Sequence, residues 1–303
     1  MQLYFEGIDI SAKVGISFAE ITDSAGGQLD GVDATFADTE GNWSQWQPAA
    51  DNTILLRQEG FSSGVCYVDE IGQQYGQYIL QGVSMPSGAK AARSRSWERA
   101  TLLEIISDMA GGLGYGFATY GTANPVYQRM DQMGVTDMAF LSELCAREGY
   151  ALKVNDRRVI VYDEATFEAV TPVRKITGRD FLGEWEYTQH REGTYAGCRV
   201  SYGSISAEYI AAGRAGEMLD IRDQYLSSVG EAQRYARGML RQANRLEHSI
   251  TGGIKLDLSL AGGSMVEVTE VGTANGLYMV DQVRHRLTEG ISGLKLRRKL
   301  EGY

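Results

Sequence analysis

The side chains able to do acid–base, nucleophilic or metal chemistry are few or scattered in this 303-residue sequence. It has three histidines, His190, His248 and His285. None stands at ligand spacing from another, so neither a zinc site nor a histidine base has a frame, and each reads as structural or surface. Cys66, Cys145 and Cys198 are odd in number and far apart. They fit no disulfide framework and no zinc spacing, and read as packed thiols of a protein made in a reducing cytoplasm. The acids Asp30, Asp33, Asp38 and Glu40 do not supply the D-x-D-x-D-G order of a calcium loop, and Asp38 reads as a turn at a strand end. Glycoside hydrolysis needs two facing carboxylates, but among 39 acidic residues the sequence singles out no pair. The run Gly111-Gly112-Leu113-Gly114-Tyr115-Gly116 superficially looks like a phosphate loop, yet it follows a helical pattern instead of a strand. Trp43-x-x-Trp46 could form a sugar platform or a partner-binding knob, but a loop folded back on its own core is the expectation. The expected catalytic, cofactor and metal residues are therefore none, and the chain reads as a non-enzyme.

Charge divides the chain. Residues 1–87 carry twelve acidic and two basic side chains, Lys13 and Arg57. The remainder is neutral in sum, so the formal charge of −10 resides entirely in the first segment. That balance opposes phosphate binding there. With 37 glycines against four prolines, the sequence favours many turns over a stiff linker. The N-terminus has no basic n-region followed by an apolar run, so it does not read as a signal peptide. No stretch approaches 18 apolar residues, so no membrane insertion is expected.

The elements that must carry these residues are mostly strands. Alternation at 16–21, 32–36, 53–57, 64–68 and 75–80, with turn clusters between, predicts a small antiparallel barrel over 1–87. Small residues at 84–92 mark a boundary. A helix is expected from an N-cap at Ser96 through Ala100, Leu103, Ile106 and Ala110. A second starts at Thr136, buries Met138, Leu141, Leu144 and Cys145, and stops at Gly149. A hairpin follows at 150–154 and 158–162, so 88–165 reads as a compact α+β connector. Strands return over 166–303, interrupted by a helix near 228–245 that opens with Ser228-x-x-Glu231. Arg234, Arg237, Arg241 and Arg245 on that helix read as a solvated or subunit-facing surface, and Lys295, Arg297, Arg298 and Lys299 make the last strand strongly basic; the hypothesis is that both contact acidic neighbours.

The middle segment carries a resemblance. Ser96-Trp97-Glu98-Arg99-Ala100-Thr101-Leu102-Leu103-Glu104-Ile105-Ile106 resembles a stretch of the phage late control protein D family, the tail baseplate hub. Tyr127-Gln128-Arg129-Met130-Asp131-Gln132, then Thr136-Asp137-Met138-Ala139-Phe140-Leu141 and Cys145-Ala146-Arg147-Glu148-Gly149-Tyr150, continue it in order. The ending Gly276-Leu277-Tyr278-Met279-Val280-Asp281-Gln282-Val283-Arg284-His285 is similar to the last part of that family. Proteins of the VgrG type look like distant relatives.

The resemblance implies a mainly β fold with an α+β insertion. Two tail-tube-like β-barrel domains, 1–87 and 166–303, would flank the connector at 88–165. It further implies a homotrimer forming a pseudo-sixfold ring that joins the sixfold tail tube, or a tube-initiator protein, to a threefold spike. The spike would be a separate protein, and tape-measure protein and DNA would pass through the lumen without specific binding. The location would be the baseplate of a virion or phage-like particle. The competing readings are a tail-associated cell-wall hydrolase or carbohydrate-binding protein, and an unrelated β-rich binding protein.

Overall fold

The computed structural model describes all 303 residues. Strands dominate, with five helices: α1 (Asn42–Trp46), α2 (Leu102–Gly112), α3 (Asp137–Glu148), α4 (Glu164–Glu168) and α5 (Val229–Asn244). The largest sheet has fourteen strands. Its main path runs Glu186–Gln189, His248–Lys255, Ile291–Arg298, Gly276–Arg286, Gly15–Ser24, Gly31–Ala37, Gln77–Val83, Cys66–Gln74, Thr53–Gln58, Gln2–Phe5 and Ile8–Asp9. Strands of residues 1–87 thus share one sheet with strands of the second half. Strand Gly15–Ser24 pairs antiparallel with Gly276–Arg286, with Ser24 opposite Gln282 and Glu20 opposite Arg286.

Strict alternation makes this sheet two-faced. In Gly31–Ala37 the side chains of Val32, Ala34 and Phe36 are buried, while Asp33 and Thr35 face outward. Tyr78, Leu80 and Gly82 do the same in Gln77–Val83. The inward residues of the first half enclose one core around Leu3, Ile21, Phe36, Trp43, Ile54 and Leu80. Those of the second half enclose another around Ile176, Ile250, Val266, Tyr278 and Leu296. The expected pair of closed barrels is not what the hydrogen bonds describe. The path ends at Glu186–Gln189 on one side and Ile8–Asp9 on the other, and no ladder joins these ends.

The third and largest core, of 26 buried residues, belongs to the α+β body. It contains α2, α3 and the hairpin Tyr150–Asn155/Arg158–Asp163, joined by Gly116–Tyr120 in parallel with Arg158–Asp163. It also takes in Cys198 and Val200 of the sheet formed by Gly197–Tyr202, Ile205–Ile210 and Met218–Ile221, and Ala232, Tyr235, Ala236 and Leu240 of α5. The segment 166–303 is therefore shared between two cores, because the apolar stripe of α5 packs both on the strands Gly197–Tyr202 and Ile205–Ile210 and on α3, which carries that sheet into the α+β core.

A further difference concerns α2. The N-cap expected at Ser96 lies five residues later, at Thr101, since Ala92–Thr101 is a strand paired with Val126–Thr136. Thr101 is the N-cap, accepting from Glu104 N while the Glu104 carboxylate accepts from Thr101 N at 2.7 Å. That reciprocal box, followed by buried Leu102, Ile105, Ile106, Met109 and Ala110, outcompetes a lone serine. Helix α3 and its Gly149 stop lie as the sequence indicates, with Thr136 as N-cap and Gly149 at φ 80°.

Candidate functional site

The polar face of the long sheet and the ionic groups that pin it to the α+β body are the built features of this molecule. Across the outer face, Glu20 stands opposite both Arg286 and Asp33, Asp33 opposite Gln81, and Gln81 opposite Glu70. Acid from the first half and base from the second meet here. Arg286 bonds Glu20 at 3.0 Å, and the Asp33 carboxyl is raised by burial and by Glu20, with Arg284 opposing.

One junction lies at the turn between Gly15–Ser24 and Gly31–Ala37. Lys153 of the connector hairpin reaches into it, bonding Asp23, the Ser24 carbonyl at 2.8 Å and Asp30 at 3.1 Å. Asn155 Nδ2 donates to Asp30 at 2.8 Å, and so does Ser24 N. Gly262 N, from the second half, donates to Asp23 at 3.1 Å. Three parts of the chain thus meet at two carboxylates. Burial, opposed by Lys153 and assisted by Asp23, pushes the Asp30 carboxyl up to about 6. Burial also works against the Lys153 charge, but Asp23 and Asp30 outweigh it and raise that ammonium.

The second junction centres on α4. Spacing of four residues puts Glu164 and Glu168 on one helical face, and both are buried. Glu168 meets Arg241 at 3.0 Å and Arg297 at 2.5 Å, while Glu164 meets Arg297 at 3.1 Å. Arg245 bonds Asp281 at 2.7 Å and approaches Glu164, and Lys295 lies 3.4 Å from Asp281. Burial disfavours the Arg297 charge, yet Glu164 and Glu168 hold it firmly protonated. Nearby, Arg234 clamps the buried Glu148 at 2.8 and 3.2 Å.

These contacts revise the expected basic surfaces. Arg241 and Arg297 are buried in the chain's own interior, and Arg234 and Arg245 are paired within it, so they do not face an acidic neighbour. A strand position with two arginines in four residues hides which one points inward, and here Arg297 does. Part of the acidic excess is likewise spent internally. Glu20, Asp23, Asp30 and Asp38 are all buried, Asp38 accepting from Trp43 N at 3.0 Å.

Most of the remaining candidates lie in the interior. Trp43 is buried against Phe36 and Tyr78, and its neighbour Trp46 is the half-exposed member of the pair. All three cysteines are buried and unpaired. His285 is fully buried, with Nε2 3.0 Å from the Leu260 carbonyl and Nδ1 2.9 Å from Ser292 Oγ. That geometry makes Nε2 the donor and Nδ1 the acceptor, the neutral ring that burial also favours. No group of three or more His, Cys, Asp or Glu is placed to hold a metal ion. No helix is long and apolar enough to cross a membrane. Sequence reasoning missed Glu164, Glu168, Lys153 and Asn155; only the i, i+4 glutamates left a readable signal.

The family profile described as the phage tail baseplate hub (GPD) matches residues 85–291, more than half of the chain. The chain belongs to that family. The matched region contains every motif from Ser96 to Tyr150 on which the resemblance rested, and the α4–α5 ionic junction up to Asp281. No curated protein matches the sequence. Among solved structures, a tail protein from Neisseria meningitidis MC58 is similar with a TM-score of 0.77 and 12% identity, over 98% of this chain and 95% of that one. The 43 kDa tail protein of prophage MuSo2 from Shewanella oneidensis gives 0.74 and 12%, covering 98% of both chains. The E. coli c3393 protein, a component of the type VI secretion system with structural similarity to T4 bacteriophage tail proteins gp27 and gp5, gives 0.63 and 13%. That match spans 100% of this chain and 79% of the other. At such identities the likeness is one of fold, and it extends over the whole baseplate hub chain.

Proposed function

We propose that the chain is a structural baseplate hub of a phage or phage-like tail, without a catalytic role. Three copies form a ring in which the two β halves of each chain occupy six comparable positions. The ring joins the sixfold tail tube, or its initiator, to a threefold spike, and leaves a lumen for tape-measure protein and DNA. The observation that carries this reading is the single sheet running through both halves, joined at Gly15–Ser24 and Gly276–Arg286. Such a sheet has free edges at Glu186–Gln189 and Ile8–Asp9. Exposed strand edges are a liability that a ring of neighbours removes, and a heterologous contact that closes does so without leaving spare ends. In this reading neighbouring copies complete the barrels that one chain leaves open.

The polar outer face then becomes the conduit wall. Its first-half portion carries Asp33 and Glu70, which repel a phosphate backbone, and its second-half portion carries Arg284 and Arg286. The test is an electron-microscopy reconstruction of the assembled chain. A trimer with these strands around the channel supports the reading, whereas a channel lined mainly by Lys and Arg contradicts the conduit assignment.

A further inference from the structure

A cavity of about 340 Å³ opens where the C-terminal strand leaves the sheet, at the start of strand His248–Lys255 and near the edge strand Glu186–Gln189. Four permanent cations line it, Arg214, Arg245, Arg298 and Lys299, with Glu247 and Glu301 as the acids and His248 between them. Two of the cations already have partners: Arg214 is bonded to Glu247, and Arg245 to Asp281 at 2.7 Å. Arg298 and Lys299 have no acidic partner.

Arg298 is held unusually firmly for an unpaired cation. Its Nη2 donates at 3.0 Å to the Thr273 carbonyl, the Asn275 carbonyl and the Tyr278 hydroxyl, all neutral acceptors. Its guanidinium lies 5.7 Å from the Tyr187 ring centroid and 5.3 Å from that of Tyr278. Its Nε is buried and has no acceptor. A guanidinium fixed against two rings, with its charge unbalanced, has already lost the freedom that binding an anion would cost it. Close approach of Gly276, where a Cβ would lie 3.3 Å from that Nε, helps keep the side chain in place.

We infer that this pocket is a receptor site for a carboxylate-bearing segment of a neighbouring protein, seated on Arg298 and Lys299. With Arg214 and Arg245 already paired, Arg298 and Lys299 against Glu301 leave one positive charge, which a single carboxylate balances and a phosphate dianion exceeds. That the segment belongs to another tail component rests on the hub reading; the anion site itself does not.

His248 provides the readout. Its Nδ1 is 2.7 Å from Tyr187 Oη and its Nε2 is 3.8 Å from Glu247, and burial together with Arg298 and Arg214 lowers its pKa against the pull of Glu247. With only three histidines in the chain, its ring signals can be assigned by NMR through a His248→Gln control. The full chain is titrated with a capped pentapeptide of glycines around one central glutamate, and in parallel with inorganic phosphate. Peptide should shift the His248 signals and raise its titration midpoint, while phosphate does so at least about tenfold less effectively. Arg298→Gln and, separately, the milder Lys299→Gln should each weaken peptide binding about tenfold. Arg298→Lys should restore part of it. No His248 response to millimolar peptide, an equal response in both Gln variants, or a response to phosphate alone would overturn the inference. None of these outcomes depends on whether the chain forms a ring, which native mass reports separately.

Discussion

Glu168 and Arg297, 129 residues apart in sequence, are ion-paired at 2.5 Å with side chains exposed by only 2% and 0%. One comes from a five-residue helix at the end of the connector and the other from the last long strand of the sheet. The pair, shared with Arg241 of α5, fixes how the α+β body sits on the sheet.

Removing one partner of such a pair strands a buried charge. Arg297→Met is expected to destabilise the chain by about 3–5 kcal/mol, and Glu168→Gln by a similar amount. The double variant should lose less than the sum of the singles, by about 1–3 kcal/mol, because the stranded charge is then relieved. Denaturant unfolding of all four proteins checks this; additive losses would mean that the pair is not coupled.

A glycine contrast tests the packing of α5. A Cβ on Gly238 would lie 2.1 Å from the Arg147 carbonyl, where α5 crosses the end of α3, whereas one on Gly230 would meet nothing within 4 Å. Gly238→Ala should therefore cost about 1–3 kcal/mol despite the better helix propensity of alanine. Gly230→Ala should be neutral or stabilising by up to about 1 kcal/mol. Thermal melts of the two variants, side by side, decide it.

Two buried groups give opposite pH dependences. The folded-state pKa of His285 is depressed below 6.5, chiefly by burial, so its contribution is present above that value and is lost as pH falls below it. Asp30 is raised from 3.8 to about 6, so its contribution is full below 3.8 and lost as pH rises through about 6. Asp30→Asn should consequently show a steeper gain of stability between pH 4 and 6 than the wild type. His285→Asn should show a flatter one below pH 6.5. Midpoints of urea unfolding across this range provide the check, and unchanged slopes would contradict both assignments.

Lys153 ties the connector to the first half of the sheet, and its removal leaves Asp23 and Asp30 facing each other without a cation. Lys153→Met should destabilise by about 3 kcal/mol or more and raise amide exchange in the 23–31 turn. Exchange by mass spectrometry would report protection loss there first; uniform loss over the chain would contradict the local role.

Much of this architecture was legible because local rules were sufficient. Thr136 and Gly149 bracket α3 by cap chemistry alone, and the 150–162 hairpin follows from alternation around Asn155-Asp156. Ser96 misled because a serine before an apolar stripe competes with the stronger Thr101-x-x-Glu104 box, and only strand pairing with Val126–Thr136 settles which one caps. The inward turn of Arg297 and Arg241 was illegible. Nothing local distinguishes a solvated arginine from one that finds a glutamate more than seventy residues away. The joint between Gly15–Ser24 and Gly276–Arg286 was hidden for the same reason, being a contact between the two ends of the chain. The acidic first segment, which excluded a phosphate-binding surface from composition, proves to spend several of its charges on internal junctions before any reach a conduit.

The central claim, a ring-forming hub, is tested most directly by the native mass of the chain co-produced with its neighbouring tail proteins. Each chain weighs 33.2 kDa, so a trimeric core of about 100 kDa, alone or within a larger complex, is the predicted result. A chain that stays at 33.2 kDa at every concentration and with every tail partner would contradict it.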